Sequence, residues 1–197
     1  MSSAKTLLEM AGADLTPARA DEACLVLIDF QNEYLEGPVA LPDGPAAVEA
    51  AKRLLAAVRE AGAPVLHVAH RGREGSLFDR AARRGAFIDW LGPEAGETVI
   101  EKPLPNAFAQ TGLETALAAT GRRKLIVAGF MTHMCVSSTV RAALDFGYMS
   151  TVAADACASR DLPDGSGGVV AADAVHRVAL AELADRFAII ARGSGWV

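Results

Sequence analysis

Short apolar runs alternate with alanine-rich segments of helical period along this chain of 197 residues, and no other feature limits the possible folds so strongly. The runs are rich in Val, Ile and Leu, as strands buried on both faces are. The predicted strands are Cys24–Phe30, Pro64–His70, Thr98–Lys102, Lys124–Phe130, Met149–Asp155 and Phe187–Arg192. The predicted helices are Pro45–Ala61, 111–120, Met134–Phe146 and Val169–Asp185. The pattern predicts an α/β fold with three layers, in which helices cover both faces of a parallel sheet.

Composition and charge exclude several classes of protein. The chain is 51% hydrophobic, yet no apolar run approaches the roughly 18 residues of a membrane span. Residues 1–20 carry acids and a proline, unlike the apolar core of a secretory signal. The net charge of −5 includes no extended basic run that would attract nucleic acid. We therefore expect one domain over residues 1–197, a cytoplasmic location, and a small-molecule partner rather than nucleic acid or a membrane.

The three cysteines, Cys24, Cys135 and Cys157, are too few and too scattered for a disulfide framework or a structural zinc site. We expect free thiols. Cys24 lies inside an apolar run and Cys157 follows one without a cation beside it, so both are predicted to be small buried hydrophobes. Cys135 follows the fourth predicted strand at the start of a helix. By position alone, this residue could be either a nucleophile or a buried hydrophobe.

Charged or reactive side chains end three of the predicted strands. Asp29 closes the first strand, Lys102 closes the third, and Cys135 follows the fourth by a short turn. In open parallel sheets, ligands bind outside the carboxyl ends of the strands. Because these ends meet at one edge of the sheet, we expect the three side chains to form a site there.

This set of side chains suits acyl transfer to a thiol. A thiol is only slightly ionised at neutral pH, so a catalytic cysteine needs a helix N-terminus, a cation or a base beside it. The helix predicted from Met134, the Lys102 ammonium and the Asp29 carboxylate are candidates for these three aids. Backbone amides of the turn from Met131 to Cys135 could bind the oxyanion of a tetrahedral intermediate.

Four blocks of the sequence follow one another along the chain: LIDFQNEY (27–34), GETVIEKPLPNAF (96–108) with the TGLE that follows it at 111–114, VAGFMTHMCVSSTVRAALDFGY (127–148) and ADACASRD (154–161). Together they resemble the isochorismatase-like hydrolases, a superfamily of cysteine hydrolases. The resemblance covers nearly the whole chain, and the blocks occur in the family's order.

The resemblance implies a six-stranded parallel sheet of order 3-2-1-4-5-6, similar to a Rossmann fold, and a catalytic triad of Asp29, Lys102 and Cys135. In this triad Cys135 is the nucleophile, Asp29 the acid and base, and Lys102 the electrostatic support. The implied reaction is hydrolysis of an amide, ureide or carbamoyl C–N bond through a thioester acyl-enzyme. The resemblance also implies a cis peptide before Met131, which would turn the Met131 and Cys135 amides into one oxyanion hole.

The sequence departs from the metal-using nicotinamidases of the family. These enzymes hold a divalent metal with an Asp-x-His pair and a further His after the second strand, and residues 67–85 contain no such pair. His67 and His70 lie three apart on a strand, so their side chains should point to opposite faces. We therefore expect no metal and no other cofactor. A nicotinamidase-like metal-using amidase remains the alternative enzyme, and a redox-responsive or scaffold protein remains the non-catalytic alternative.

Residues near the predicted edge could line a substrate pocket. The candidates are Phe30, Gln31, Phe108, Thr132 and His133. Thr111 and Glu114 fit a capping box at the start of the helix that follows. The Ala- and Val-rich surface of the last helix predicts a homo-oligomer, a dimer or a tetramer.

Overall fold

The computed structural model describes residues 4–197. The strands are β1 (Ala23–Ile28), β2 (Val65–His70), β3 (Thr98–Lys102), β4 (Lys124–Phe130), β5 (Met149–Ala158), β6 (Leu162–Pro163), β7 (Val169–Val170) and β8 (Ala188–Ala191). The helices are α1 (Leu7–Met10), α2 (Glu33–Glu36), α3 (Gly44–Glu60), α4 (Leu113–Ala119), α5 (Ser137–Asp145) and α6 (Ala172–Arg186).

Six strands form the main sheet in the order β3-β2-β1-β4-β5-β8, and every neighbouring pair is parallel. This confirms the predicted fold and strand order, because β8 is the sixth of the predicted strands. The two short strands β6 and β7 pair separately as an antiparallel hairpin. All carboxyl ends of the six parallel strands therefore meet at one edge.

Side chains of the sheet alternate between two hydrophobic clusters, one on each face. In β1, Leu25 and Leu27 join the cluster that includes the buried side of α3. The intervening Cys24, Val26 and Ile28 join the cluster that includes residues of α4, α5 and α6. The period-2 alternation of strand side chains thus buries both faces of the same strand, as the continuous apolar runs predict.

A glycine near the end of β4 lets two central strands approach closely. Gly129 has a φ of 141°, in a region that favours glycine. A Cβ built on Gly129 would lie 2.0 Å from the carbonyl oxygen of Ile28 in β1. Any larger residue at this position would push β4 away from β1, immediately before the turn that carries Cys135.

The last helix and the fifth strand differ from the sequence prediction. Helix α6 begins at Ala172 rather than at Val169, because Val169 and Val170 pair with Leu162 and Pro163. The N–H of Ala172 donates to Asp161 Oδ1 at 2.8 Å at the start of this helix. Strand β5 continues to Ala158, past its predicted end, after an irregularity in its pairing with β4.

The predicted capping box at Thr111 and Glu114 is wrong. Helix α4 has Gly112 as its N-cap, and no side chain caps it there. The Thr111 hydroxyl donates to the carbonyl of Ala107 and accepts from the N–H of Leu113. The hydroxyl is therefore oriented into a local turn and does not reach the N–H of a third helical residue.

Candidate active site

Asp29 lies directly after β1 in a conformation that is unusual for a residue other than glycine. Its φ is 55°, in the left-handed region that Asp and Asn enter more readily than most residues. Its N–H donates to the Val68 carbonyl at 2.8 Å, and its carbonyl accepts from the Gln31 N–H at 2.7 Å. These contacts hold a fully buried carboxylate at the carboxyl edge of the sheet.

Lys102 is the last residue of β3 and its side chain is completely buried. The Nζ atom lies 2.7 Å from Asp29 Oδ2 and 3.2 Å from Cys135 Sγ. Three residues that are far apart in sequence thus meet at one nitrogen atom. The structure brings together the predicted Asp29, Lys102 and Cys135.

Cys135 lies in one turn of π-helix over Thr132–Val136, which leads into α5 at Ser137. The sequence predicts an α-helix from Met134, which would place Cys135 in its first turn. In the structure Cys135 instead lies before the α-helix, which begins at Ser137. Single π-helical turns recur at functional sites, because the extra residue re-aims the side chains of the turn. Only 3% of Cys135 is exposed.

The three buried groups change one another's affinity for protons. Burial raises the pKa of the Cys135 thiol to about 12; the Asp29 charge acts in the same direction and the Lys102 charge opposes it. Burial also raises the pKa of Asp29, against the opposing charge of Lys102. For Lys102 burial acts to lower the pKa, but the charges of Asp29 and Cys135 outweigh it, so the pKa is raised.

Lys102 is therefore a cation throughout the physiological pH range, and the resting Cys135 is a thiol. A single buried cation balances one anion, which is either the Asp29 carboxylate or the Cys135 thiolate. The arrangement can exchange one proton between these two groups without changing the net charge of the site.

The turn before Cys135 contains the second predicted feature of the site. The peptide bond between Phe130 and Met131 is cis. Among residues 4–197, no backbone or side-chain acceptor receives the Met131 N–H. A free backbone donor therefore lies at the start of the turn that carries the thiol.

Of the predicted substrate-binding residues, Phe30 and Gln31 are buried. The Phe30 ring packs edge-on against Phe130, with centroids 4.8 Å apart. The Gln31 amide donates to the carbonyls of His70 and Gly85 and accepts from the His70 N–H. Through these contacts the Gln31 side chain holds β2 and the loop after it beside Asp29.

The other three predicted substrate-binding residues lie around the π-helical turn or next to α5. Phe108 stacks on Phe146 with ring centroids 4.8 Å apart. Thr132 is buried, and its hydroxyl lies 2.8 Å from Nδ1 of His176 in α6. His133 lies 3.0 Å from the Ser159 hydroxyl through Nδ1, so its ring pairs with Ser159 and not with Cys135. Contact with a substrate remains a prediction for all five residues.

Sequence reasoning missed two side chains at the site. His70 Nδ1 lies 3.4 Å from Lys102 Nζ, and His70 ends β2 opposite Lys102 in the strand register. The same rule of strand ends that selects Lys102 could have selected His70. Tyr34 is buried on α2 with its ring 5.4 Å from that of Phe130, and no strand-end signal marks it.

Arg160 follows the end of β5 at the same edge and is half-buried. Its Nη1 donates to the Asp161 carbonyl, while its buried Nε has no hydrogen-bond partner among residues 4–197. In the same described part of the chain, no carboxylate lies within ion-pair distance of Arg160. The guanidinium therefore keeps a free donor near the π-helical turn.

The two histidines of β2 face opposite sides of the sheet, as predicted. His67 is fully buried, with Nε2 2.8 Å from Glu97, and Glu97 also bonds Arg59 at 2.8 Å. His67 is thus part of an ion network away from the triad. Within residues 4–197, no group of three or more His, Cys, Asp or Glu side chains is arranged to hold a metal ion.

Comparison with known proteins supports first the fold and then the family. A solved structure, an isochorismatase from Pseudomonas putida KT2440, superposes with a TM-score of 0.93 at 44% sequence identity, covering 96% of this chain and 97% of that one. A family model described as an isochorismatase domain matches residues 23–193. The chain belongs to the isochorismatase family of hydrolases.

Two relatives illustrate the range of proteins to which the chain is similar. A secreted isochorismatase effector of Verticillium dahliae is 38% identical over 188 residues, which cover 95% of each chain. A ureidoacrylate amidohydrolase of Methylorubrum extorquens is 31% identical, and the match covers 74% of this chain and 76% of the relative.

In residues 4–197 no helix has the length and apolarity that crossing a membrane requires.

Proposed function

We propose that this protein hydrolyses a C–N bond in a small amide, ureide or carbamoyl compound, with Cys135 as nucleophile. The observation that carries the proposal is the position of Lys102 Nζ, 2.7 Å from Asp29 Oδ2 and 3.2 Å from Cys135 Sγ in a buried site. A cation, a carboxylate and a thiol in contact are the groups that acyl transfer to sulfur requires. The similarity to a ureidoacrylate amidohydrolase supports this class of bond.

In the first step Asp29 takes the proton of Cys135 as the sulfur attacks the carbonyl carbon. The raised pKa of Asp29 suits this role, because a base poised nearer to neutral pH can accept the proton and return it. The negative charge moves from carboxylate to sulfur and then to the carbonyl oxygen. Lys102 remains beside this charge and stabilises it without exchanging a proton.

The backbone N–H groups of Met131 and Cys135 bind the oxyanion of the tetrahedral intermediate. One such donor contributes roughly 3 kcal/mol in enzymes where it has been removed. When the intermediate collapses, the C–N bond breaks and Asp29 gives its proton to the leaving amine. The product of this half-reaction is a thioester on Cys135.

Water then attacks the thioester carbonyl, with Asp29 again taking a proton. The second intermediate releases the acid, and Cys135 regains its proton from Asp29. No cofactor takes part in this scheme. A homo-oligomer and a cytoplasmic location are further parts of the proposal.

The test is a panel of small amides, ureides and carbamoyl compounds, including ureidoacrylate and nicotinamide. We expect release of ammonia or amine from at least one compound, unaffected by EDTA, and an acyl hydroxamate when hydroxylamine intercepts the thioester. The matched control is Cys135→Ala, which should form neither product. Hydroxamate formation by Cys135→Ala, or EDTA-sensitive turnover of nicotinamide, would contradict the proposal.

A further inference from the structure

Three acceptors surround the buried ammonium of Lys102. An ammonium has three N–H donors and no acceptor. Nζ lies 2.7 Å from Asp29 Oδ2, 3.2 Å from Cys135 Sγ and 3.4 Å from His70 Nδ1. The contacts to Asp29 and Cys135 serve the proposed reaction, while the contact to His70 has no role in it so far.

We propose that His70 is a positioning residue of the site: its neutral imidazole accepts the third N–H of Lys102 through Nδ1 and holds the ammonium between Asp29 and Cys135. The inference deepens the proposed function and rests on it. Because an ammonium cannot donate to a nitrogen that already carries hydrogen, the proton of the imidazole must be on Nε2.

The surroundings of His70 favour the neutral ring. The charged or titratable groups that face it are Lys102 from β3, Asp29 from the end of β1, and Cys135 on the far side of Lys102. Burial lowers the pKa of His70, the Lys102 charge lowers it further, and the Asp29 charge opposes both. A protonated ring would put two cations in contact and remove the acceptor from Lys102.

His70 is itself held on both sides. The Gln31 side chain accepts from the His70 N–H at 2.9 Å and donates to the His70 carbonyl at 3.0 Å. The Phe78 ring packs edge-on against the imidazole, with centroids 5.3 Å apart and planes at 76°. Backbone and ring are thus ordered before any substrate arrives, which is what a positioning residue requires.

This arrangement has a consequence for the chemistry. With all three N–H groups of Lys102 engaged, the ammonium has no donor left for the substrate or the leaving group. The proton that reaches the leaving amine must therefore come from Asp29. Lys102 acts as a fixed charge.

The test compares His70→Leu, which removes the acceptor, with His70→Asn, whose amide oxygen can take the place of Nδ1. Two rates are measured: kcat on the best compound of the amide panel, with KM determined alongside it, and the rate at which iodoacetamide alkylates Cys135, followed by peptide mass spectrometry. We expect His70→Leu to lower kcat about 10- to 100-fold with KM nearly unchanged, as loss of an orienting partner does. The rate of Cys135 alkylation should fall as well. His70→Asn should recover most of both rates.

His67→Gln is the matched control, because it changes a histidine of the same strand on the opposite face and keeps a donor for Glu97. It should leave both rates within about twofold, the normal range for a substitution outside the site. Circular dichroism checks that each variant is folded. If His70→Leu does not fold, the comparison of His70→Asn with wild type still decides, since loss of both rates in His70→Asn overturns the inference.

A ¹⁵N-histidine NMR spectrum tests the protonation state directly, with His70→Asn identifying the signal. We expect an unprotonated Nδ1 and a protonated Nε2 at neutral pH; a cationic ring or the opposite tautomer would overturn the inference. Unchanged alkylation of Cys135 in His70→Leu would do the same. Alkylation and NMR need no substrate, so a failure of the proposed hydrolysis across the panel is distinguishable from a failure of this inference.

Discussion

Cys135 and Cys157 are two buried thiols near the same edge of one sheet, and the groups beside them differ in charge. Cys157 lies in β5 opposite Gly129 of β4, and Cys135 follows the end of β4. Burial raises the pKa of each to about 12. Degree of burial and acidity therefore do not separate a proposed nucleophile from a small hydrophobe.

Charge separates them. Cys135 has the Lys102 ammonium 3.2 Å away and feels the charge of Asp29. The Cys157 pKa is affected by burial, by a backbone N–H of Gly129 and by the charge of the exposed Asp155, with no cation among these influences. A cysteine with a high resting pKa can still react when a buried cation and a base accompany the proton transfer.

The largest expected effect separates the two thiols by activity. Cys135→Ala should lower kcat on the best amide by roughly 10³-fold or more, as loss of a nucleophile does. Cys157→Ala should retain kcat within about threefold, because it removes only packing. Steady-state assays on both variants measure the difference, and equal losses would abolish the distinction drawn between these cysteines.

The second prediction compares the carboxylates beside the two thiols. Asp29→Asn should lower kcat by about 10² to 10⁴-fold, the range for loss of a general acid and base. Asp155→Asn should change kcat little, because this exposed carboxylate accepts from the Gly193 N–H at 2.6 Å and lies outside the triad. A pH series of kcat measures both, and an Asp29→Asn enzyme that retains the wild-type rate would refute the assigned base.

The third prediction is one in which the two cysteines should behave alike. In the unfolded chain a thiol ionises near its ordinary pKa of 9.0, while in the folded protein it holds its proton to about 12. Each thiol thus contributes stability that is fully present below pH 9 and is lost as the pH rises through 12. At pH 10 to 11, replacing either cysteine with Ala should make this loss shallower by about 1.4 kcal/mol per pH unit.

Urea unfolding at a series of alkaline pH values measures these slopes. Deprotonation of Lys102, whose pKa is raised, adds to the loss of stability at alkaline pH in wild type and in both variants. It therefore does not affect the comparison of Cys157→Ala with wild type. An unchanged slope in Cys157→Ala would contradict the prediction, because burial dominates the pKa of this thiol and no cation is among the influences on it.

The smallest expected effect concerns Cys24, in the middle of β1. It is fully buried in the cluster under α5 and has a pKa raised to about 12 by burial. Cys24→Ala should cost about 1 kcal/mol of unfolding free energy, typical of a small loss of core volume, with kcat unchanged. Loss of activity with unchanged stability would instead show that Cys24 takes part in the chemistry and is not purely structural.

Much of the fold could be predicted because strand signals are local. The bounds of β3 and β4 agree with the predicted Thr98–Lys102 and Lys124–Phe130, where apolar runs begin and end abruptly. The start of α6 could not be predicted, because the pairing of Val169 with Pro163 competes with helix formation there. The π-helical turn at Cys135 was also missed, since its residues have no helix-breaking signal.

The sequence by itself determined the order of strands and helices, and hence the edge at which Asp29, Lys102 and Cys135 meet, because apolar runs and polar strand ends are properties of neighbouring residues. Tertiary structure decided how these groups behave. The neutral thiol, the raised pKa of Asp29 and the contact of His70 with Lys102 depend on burial and on distances between residues far apart in the chain. Such distances are set only when the strands have paired into the sheet and the helices have packed on it.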